Sequence, residues 1–116
     1  ICYDLRFPEL FRLLEKQGAQ IIAVPSAFTE LTGKAHWELL VRARAVENSC
    51  YLVAAGQGGK HQNSRETFGD SMIVDPWGKI SVRQAKGQGW LCAKLDLDKL
   101  ENIRRSFPVL KHRKLN

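Results

Sequence analysis

The opening stretch ICYDLRFPEL places a cysteine, Cys2, beside Asp4, Arg6 and Glu9. Ile1 reads as the last residue of a buried strand, whereas the three charged residues avoid cores unless they are paired. A thiol at that junction, just ahead of a helix, stands at the carboxyl end of a sheet, where α/β proteins bind their ligands. A thiol with an ordinary pKa of about 8.5 becomes a useful nucleophile once a neighbouring base or positive charge favours the thiolate. Without such help, a lone cysteine after an apolar residue is a small buried hydrophobe. Cys50 and Cys92 take that plainer reading, as small core residues. The three cysteines are an odd number without C-x-x-C spacing, so neither a disulfide framework nor a zinc site is expected. A reducing, cytoplasmic setting fits them best. The glycine-rich GQGG at 56–59 lacks the lysine-serine ending of a phosphate loop and reads as a mobile connection.

The elements that must hold Cys2 follow from periodicity. Pro8 suits a first helical turn, Leu10, Phe11, Leu13 and Leu14 follow at helical spacing, and Gly18 stops the run, predicting a helix over 8–17. Gln20 to Val24, ended by Pro25, predicts a short buried strand, and Tyr51 to Ala55 another. Between them, residues 36–49 predict a second helix. Its apolar residues fall on two opposite sides, Trp37, Leu40, Val41 and Ala45 against Leu39, Ala43 and Val46. Such a helix is covered on both sides by its own chain or on one side by a second subunit. Residues 70–75 and 79–84, joined by DPWGK, predict a hairpin. Trp90 to Leu97 alternates as a strand does, Asp98 can cap a short helix, and FPVLKHRKLN predicts a basic surface tail. The alternation of strand and helix argues for an α/β sheet with parallel neighbours. At 116 residues and 44% hydrophobic, the chain has room for one domain, and no apolar run approaches the roughly 20 residues that span a bilayer.

Four stretches, ICYDLRFPE at 1–9, PSAF at 25–28, HWELLVRARAVEN at 36–48 and DPWG at 75–78, resemble the nitrilase superfamily of carbon–nitrogen hydrolases, particularly its Nit branch of amidases. The resemblance implies an α-β-β-α sandwich, a cofactor-free and metal-free reaction, and Cys2 as nucleophile. It also implies a glutamate, usually two, and a lysine that precede the cysteine, so the chain is expected to be the C-terminal part of a single hydrolase domain. The implied chemistry is attack of Cys2 on an amide carbonyl, loss of ammonia and hydrolysis of the acyl-thioester. The oxyanion would be held by the lysine and by the backbone N–H of Tyr3. The expected substrates are small carboxylate-bearing amides, such as deaminated glutathione or the ω-amide of an α-keto acid.

Around this centre, Pro25, Ser26, Ala27 and Phe28 leave a strand at the same sheet end and are expected to line the pocket. His36 and Trp37, at a helix start, are expected to border it or to cap and anchor the helix, with Trp37 the stronger pocket candidate. Arg6 either braces the turn after Cys2, as Asp4 and Glu9 are expected to do, or holds a substrate carboxylate in a bidentate pair. In the superfamily the helix after the nucleophile and the one after PSAF meet a second subunit, which together with the two-faced helix predicts a homodimer. The net charge of +6 raises a nucleic-acid-binding alternative, but the charges are spread along the chain and no recognition motif accompanies them, so no nucleic-acid or membrane partner is expected. A second alternative is a non-catalytic remnant that serves as an interaction domain.

Overall fold

The computed structural model describes residues 1–115. A 3-10 helix over Cys2–Arg6 leads directly into helix α1, Pro8–Lys16, with Pro8 in the first turn as its missing N–H allows. Strand β1, Ile21–Ser26, pairs in parallel with β2, Tyr51–Gly56, in the register Ile22 with Leu52 and Val24 with Ala54. The crossover between them carries a short α2, Glu30–Thr32, a π turn, Gly33–Trp37, and α3, Glu38–Asn48. A small two-stranded arm follows, β3 at Gly58–Lys60 and β4 at Glu66–Phe68. The hairpin of β5, Ser71–Val74, and β6, Ile80–Gln84, completes a four-stranded sheet ordered β1-β2-β5-β6. Helix α4, Leu97–Ser106, closes the chain with a 3-10 turn, Val109–His112.

One face of this sheet is packed. Ile22, Val24, Leu52, Ala54, Met72 and Val74 form a continuous core with Leu5 and Phe11 from the N-terminal segment and Trp37, Val41 and Ala45 from the crossover. β1 alternates buried and exposed instead of being buried on both faces, because α1 and α3 cover only one side. Ile21 is 45% exposed on the other side. The described residues thus build one helical layer and one sheet of the expected four-layer sandwich. β1 also runs on through Pro25, which an edge strand tolerates because that N–H is not needed by a neighbour.

Several expectations need correction. Residues 90–96 form no strand: alternation alone does not supply a ladder partner, none exists among the described residues, and Trp90 is 97% exposed. The cap of α4 is Asp96, whose side chain accepts from the Lys99 N–H at 2.9 Å, two residues before the expected Asp98. GQGG is not a mobile connection. Gly56 ends β2, and Gly58 and Gly59 pair with Phe68 and Thr67. Glycine is needed there because a Cβ on Gly56 would lie 2.1 Å from the Gly69 carbonyl oxygen. Cys50 is a buried core residue, whereas Cys92 is exposed. The basic C-terminal stretch is not wholly a free tail, since its 3-10 turn leaves Val109 and Leu110 only half exposed and Phe107 meets Trp77 edge-on at 5.7 Å; Asn116 lies outside the described residues.

Candidate active site

The 3-10 helix that begins at Cys2 sets the site. Cys2 has φ +57°, a left-handed conformation that costs a non-glycine residue roughly 1–2 kcal/mol. The turn is held from below by Arg44 of α3, a side chain only 7% exposed, whose Nε donates to the Leu5 carbonyl at 3.0 Å and whose Nη1 pairs with Glu47 at 3.0 Å. The Asp4 carboxylate braces the same turn by accepting from the backbone nitrogen of Ile1. Glu9 is exposed and makes no ion pair among the described residues, so it does not take the bracing role expected of it.

Cys2 opens into a cavity of about 560 Å³ lined by Ile1, Pro25, Ser26, Ala27, Ala55, Gly56, Gln57 and Ser71. These residues lie at the carboxyl ends of the parallel strands β1 and β2, the position from which α/β sheets bind ligands. The Ala27 N–H points at the Cys2 sulfur at 3.5 Å. Apart from Cys2, no ionisable side chain among the described residues lines the cavity. The three glutamates that could be asked to activate the thiol are placed elsewhere. Glu38 pairs with Arg42 and Arg83, Glu47 with Arg44 and Arg12, and Glu9 faces outward on α1. A larger groove of about 930 Å³ runs along the uncovered sheet face past β3, β4 and residues 84–91. It contains no cysteine, so the candidate chemistry belongs to the smaller cavity. Among the described residues no cluster of His, Cys, Asp and Glu could hold a metal ion.

Next to the thiol lies a second feature. The Arg6 guanidinium is stacked between the rings of Tyr3 and Phe28, 5.6 and 5.1 Å from their centroids, and its Nη1 donates to Nδ1 of His36 at 3.2 Å. It has no carboxylate partner among the described residues. Four steps of 3-10 helix at a rise of about 2 Å each lead from Cys2 to Arg6, so their Cα atoms are roughly 8 Å apart. Phe28 is buried and carries Arg6 on its ring. Trp37 stands behind it, edge-on at 5.1 Å. Trp37 does not border the pocket as expected: it is 1% exposed, and its indole N–H donates to the Asp70 carbonyl at 2.7 Å. Asp70 in turn receives a bidentate Arg83 at 2.6 and 2.8 Å, and the third Arg83 nitrogen reaches Glu38 at 3.0 Å. The structure therefore brings Cys2, Pro25, Ser26 and Ala27 into one cavity, whereas Phe28, expected to line it, is buried outside its lining and together with Tyr3 and His36 forms a cage around Arg6. Tyr3, whose backbone alone was singled out, also contributes its ring. Gln57, in the GQGG stretch read only as a connection, and Ser71 had no site signal in sequence, because the link after β2 and the start of β5 meet at the cavity only through the pairing of β2 with β5.

A thiol in a left-handed turn at the carboxyl end of a partly parallel sheet is a candidate nucleophile carried by an α/β fold. The carbon–nitrogen hydrolase family profile matches residues 1–105. Human deaminated glutathione amidase is 51% identical over 114 residues, 98% of this chain and 35% of that protein. The crystal structure of Saccharomyces cerevisiae Nit3, a member of branch 10 of the nitrilase superfamily, superposes with a TM-score of 0.91 at 40% identity, covering 98% of this chain and 42% of that one. A glutamate-to-glutamine mutant of an amidase from Nesterenkonia sp. AN1, solved with the acetamide moiety of fluoroacetamide added covalently at its active-site cysteine, aligns at 34% identity and TM-score 0.64 over 72% of this chain and 31% of that one. The chain belongs to the carbon–nitrogen hydrolase family and has the nitrilase-superfamily fold. It spans about a third of the length of the curated relatives it matches.

Proposed function

We propose that this chain supplies the nucleophile of an amidase that acts on small, carboxylate-bearing amides through a Cys2 acyl-thioester. The observation that carries this reading is the pairing of Cys2, held at φ +57° in a cavity, with an Arg6 guanidinium that is stacked but has no carboxylate partner among the described residues. The Cys2 thiolate adds to the amide carbonyl carbon, giving a tetrahedral oxyanion. The C–N bond then breaks, and the nitrogen leaves as ammonia after gaining a proton. Water adds to the thioester, its proton passes to a base, and the acid and the thiol are released. The Tyr3 N–H sits in the first turn of a helix, where backbone donors lack partners, and it is the backbone donor we assign to the oxyanion. Such a donor is worth roughly 3–4 kcal/mol in a transition state. Because no base lines the cavity, we assign thiol activation to a glutamate and a lysine outside the described residues. Pro25, Ser26 and Ala27 shape the cavity for the amide end of the substrate, and Arg6 receives its carboxylate.

The relatives named as deaminated glutathione amidases support that substrate class, with ω-amides of α-keto acids as the neighbouring alternative. The outer face of α3, with Leu39 67% and Val46 47% exposed, together with the exposed Leu13 of α1, supports a homodimer through these two helices. The three cysteines are unpaired, in keeping with a cytoplasmic setting; no helix among the described residues is long and apolar enough to cross a membrane. The non-catalytic alternative differs from this reading in one respect, the base for Cys2, and among the described residues none lines the cavity. Ammonia release from deaminated glutathione and α-ketoglutaramate, measured on residues 1–116 and on the longest natural polypeptide that contains them, separates the two. Turnover only by a longer form, lost on Cys2→Ala, supports the amidase; no turnover by any form supports the remnant.

A further inference from the structure

We propose that His36 is a positioning residue for substrate recognition: its Nδ1 fixes the Arg6 guanidinium so that the opposite edge of that group is presented to a substrate carboxylate. The inference rests on the reading of Arg6 given above. A guanidinium has only donors, so the ring nitrogen 3.2 Å from Nη1 must be the unprotonated, accepting one, and the imidazole proton sits on Nε2. Tyr3 and Phe28 hold the guanidinium by ring contacts at 5.6 and 5.1 Å, which carry no directional donor or acceptor and leave its orientation to be set by a hydrogen bond. His36 is the one side chain among the described residues that accepts from Arg6.

The chain places His36 there by an unusual local device. Gly33–Trp37 is a π turn inside an otherwise α-helical crossover, a rare feature that recurs at functional sites. The widened turn lets Gly33 and Trp37 both face inward while His36 stays exposed beside Arg6. Gly33 cannot be replaced cheaply, since a Cβ there would lie 2.2 Å from the Phe68 Cβ on β4. Trp37 locks the turn's end through its 2.7 Å hydrogen bond to Asp70. A histidine that merely decorated the surface would need neither constraint.

The test measures kcat and KM of the longest natural polypeptide containing this chain on glutaramate and on valeramide, amides of equal carbon number that differ in the carboxylate. His36→Ala should lower the kcat/KM ratio of glutaramate to valeramide about tenfold, chiefly through KM, as expected for the loss of one charge-assisted hydrogen bond at an exposed site. His36→Asn, whose side-chain oxygen can stand near the Nδ1 position, should restore most of that ratio. Arg6→Gln is the control for the underlying reading. If it leaves the ratio unchanged, Arg6 is not the carboxylate receptor and both statements fall. If Arg6→Gln lowers the ratio but His36→Ala does not, the positioning role alone is overturned. Equal loss on both amides, or no rescue by His36→Asn, also overturns it.

Discussion

Arg44→Met removes the clasp beneath the nucleophile turn while keeping an unbranched side chain of similar length. In the wild type, Nε donates to the Leu5 carbonyl at 3.0 Å, Nη1 meets Glu47 at 3.0 Å, and the guanidinium lies over the Phe11 ring at 5.6 Å. Leu5 is fully buried, so water cannot readily replace the lost donor. Glu47 is 27% exposed and keeps Arg12 at 4.0 Å, so its charge is not stranded. A buried hydrogen bond from a charged group is worth about 1.5–3 kcal/mol, and methionine recovers only the apolar contacts, so we expect a loss of about 2–3 kcal/mol. For a domain of ordinary size this lowers the melting temperature by about 5–10 °C. The turn should also hold Cys2 less firmly, so kcat should fall along with stability. Differential scanning fluorimetry and amide turnover on the same preparation read both effects. A variant that melts within about 1 °C of wild type with unchanged kcat would show that Arg44 does not support the turn.

Gly33→Ala should destabilise by roughly 1–3 kcal/mol in chemical denaturation, because the added methyl must displace Phe68 and part of β4. Leu39→Asp combined with Val46→Asp places charge on the exposed face of α3 and should convert dimers to monomers in sedimentation, with little loss of fold. Asp75 should contribute to the acid limb of stability. Burial alone would raise its carboxyl, but hydrogen bonds from Lys99 and from the Lys79 and Trp77 N–H groups, with the Lys99 charge, hold it below its ordinary value of 3.8. A depressed carboxylate stabilises the fold above its unfolded pKa, and that stabilisation is lost as the pH falls below about 4. Asp75→Asn should therefore destabilise at pH 7 and flatten the decline under acid, as followed by urea denaturation at stepped pH.

Much of the fold was legible because its signals are local. Pro8 and Gly18 mark the ends of the first helical segment, the apolar runs near Ile21 and Tyr51 mark the parallel pair, and Asp75, Pro76 and Gly78 mark the hairpin turn, where the Gly78 N–H returns to the Asp75 carbonyl at 2.9 Å. The two-faced helix was legible for the same reason: Leu39 and Val46 stand opposite Val41 and Ala45, and the structure leaves the first pair exposed. What failed depends on neighbours. The alternation of Leu91, Ala93 and Leu95 describes an extended chain equally well whether or not a strand lies beside it. Cys92 has the same apolar character as Cys50, and only packing distinguishes them. Trp37 reads as a pocket candidate from its place at a helix start, yet the π turn buries the indole and leaves the His36 imidazole outside. Periodicity at 3.6 residues cannot show that turn. The cage around Arg6 joins residues 3, 28 and 36, and no spacing along the chain records their approach.

Covalent trapping identifies the nucleophile directly. The longest natural polypeptide containing this chain is incubated with fluoroacetamide, digested and mapped by mass spectrometry beside its Cys2→Ala variant. We predict a single acetamide adduct on Cys2, absent from the variant, and loss of amide hydrolysis in proportion to the labelled fraction. An adduct confined to the exposed Cys92, or continued hydrolysis by a folded Cys2→Ala protein, would contradict the assignment of Cys2 as the nucleophile.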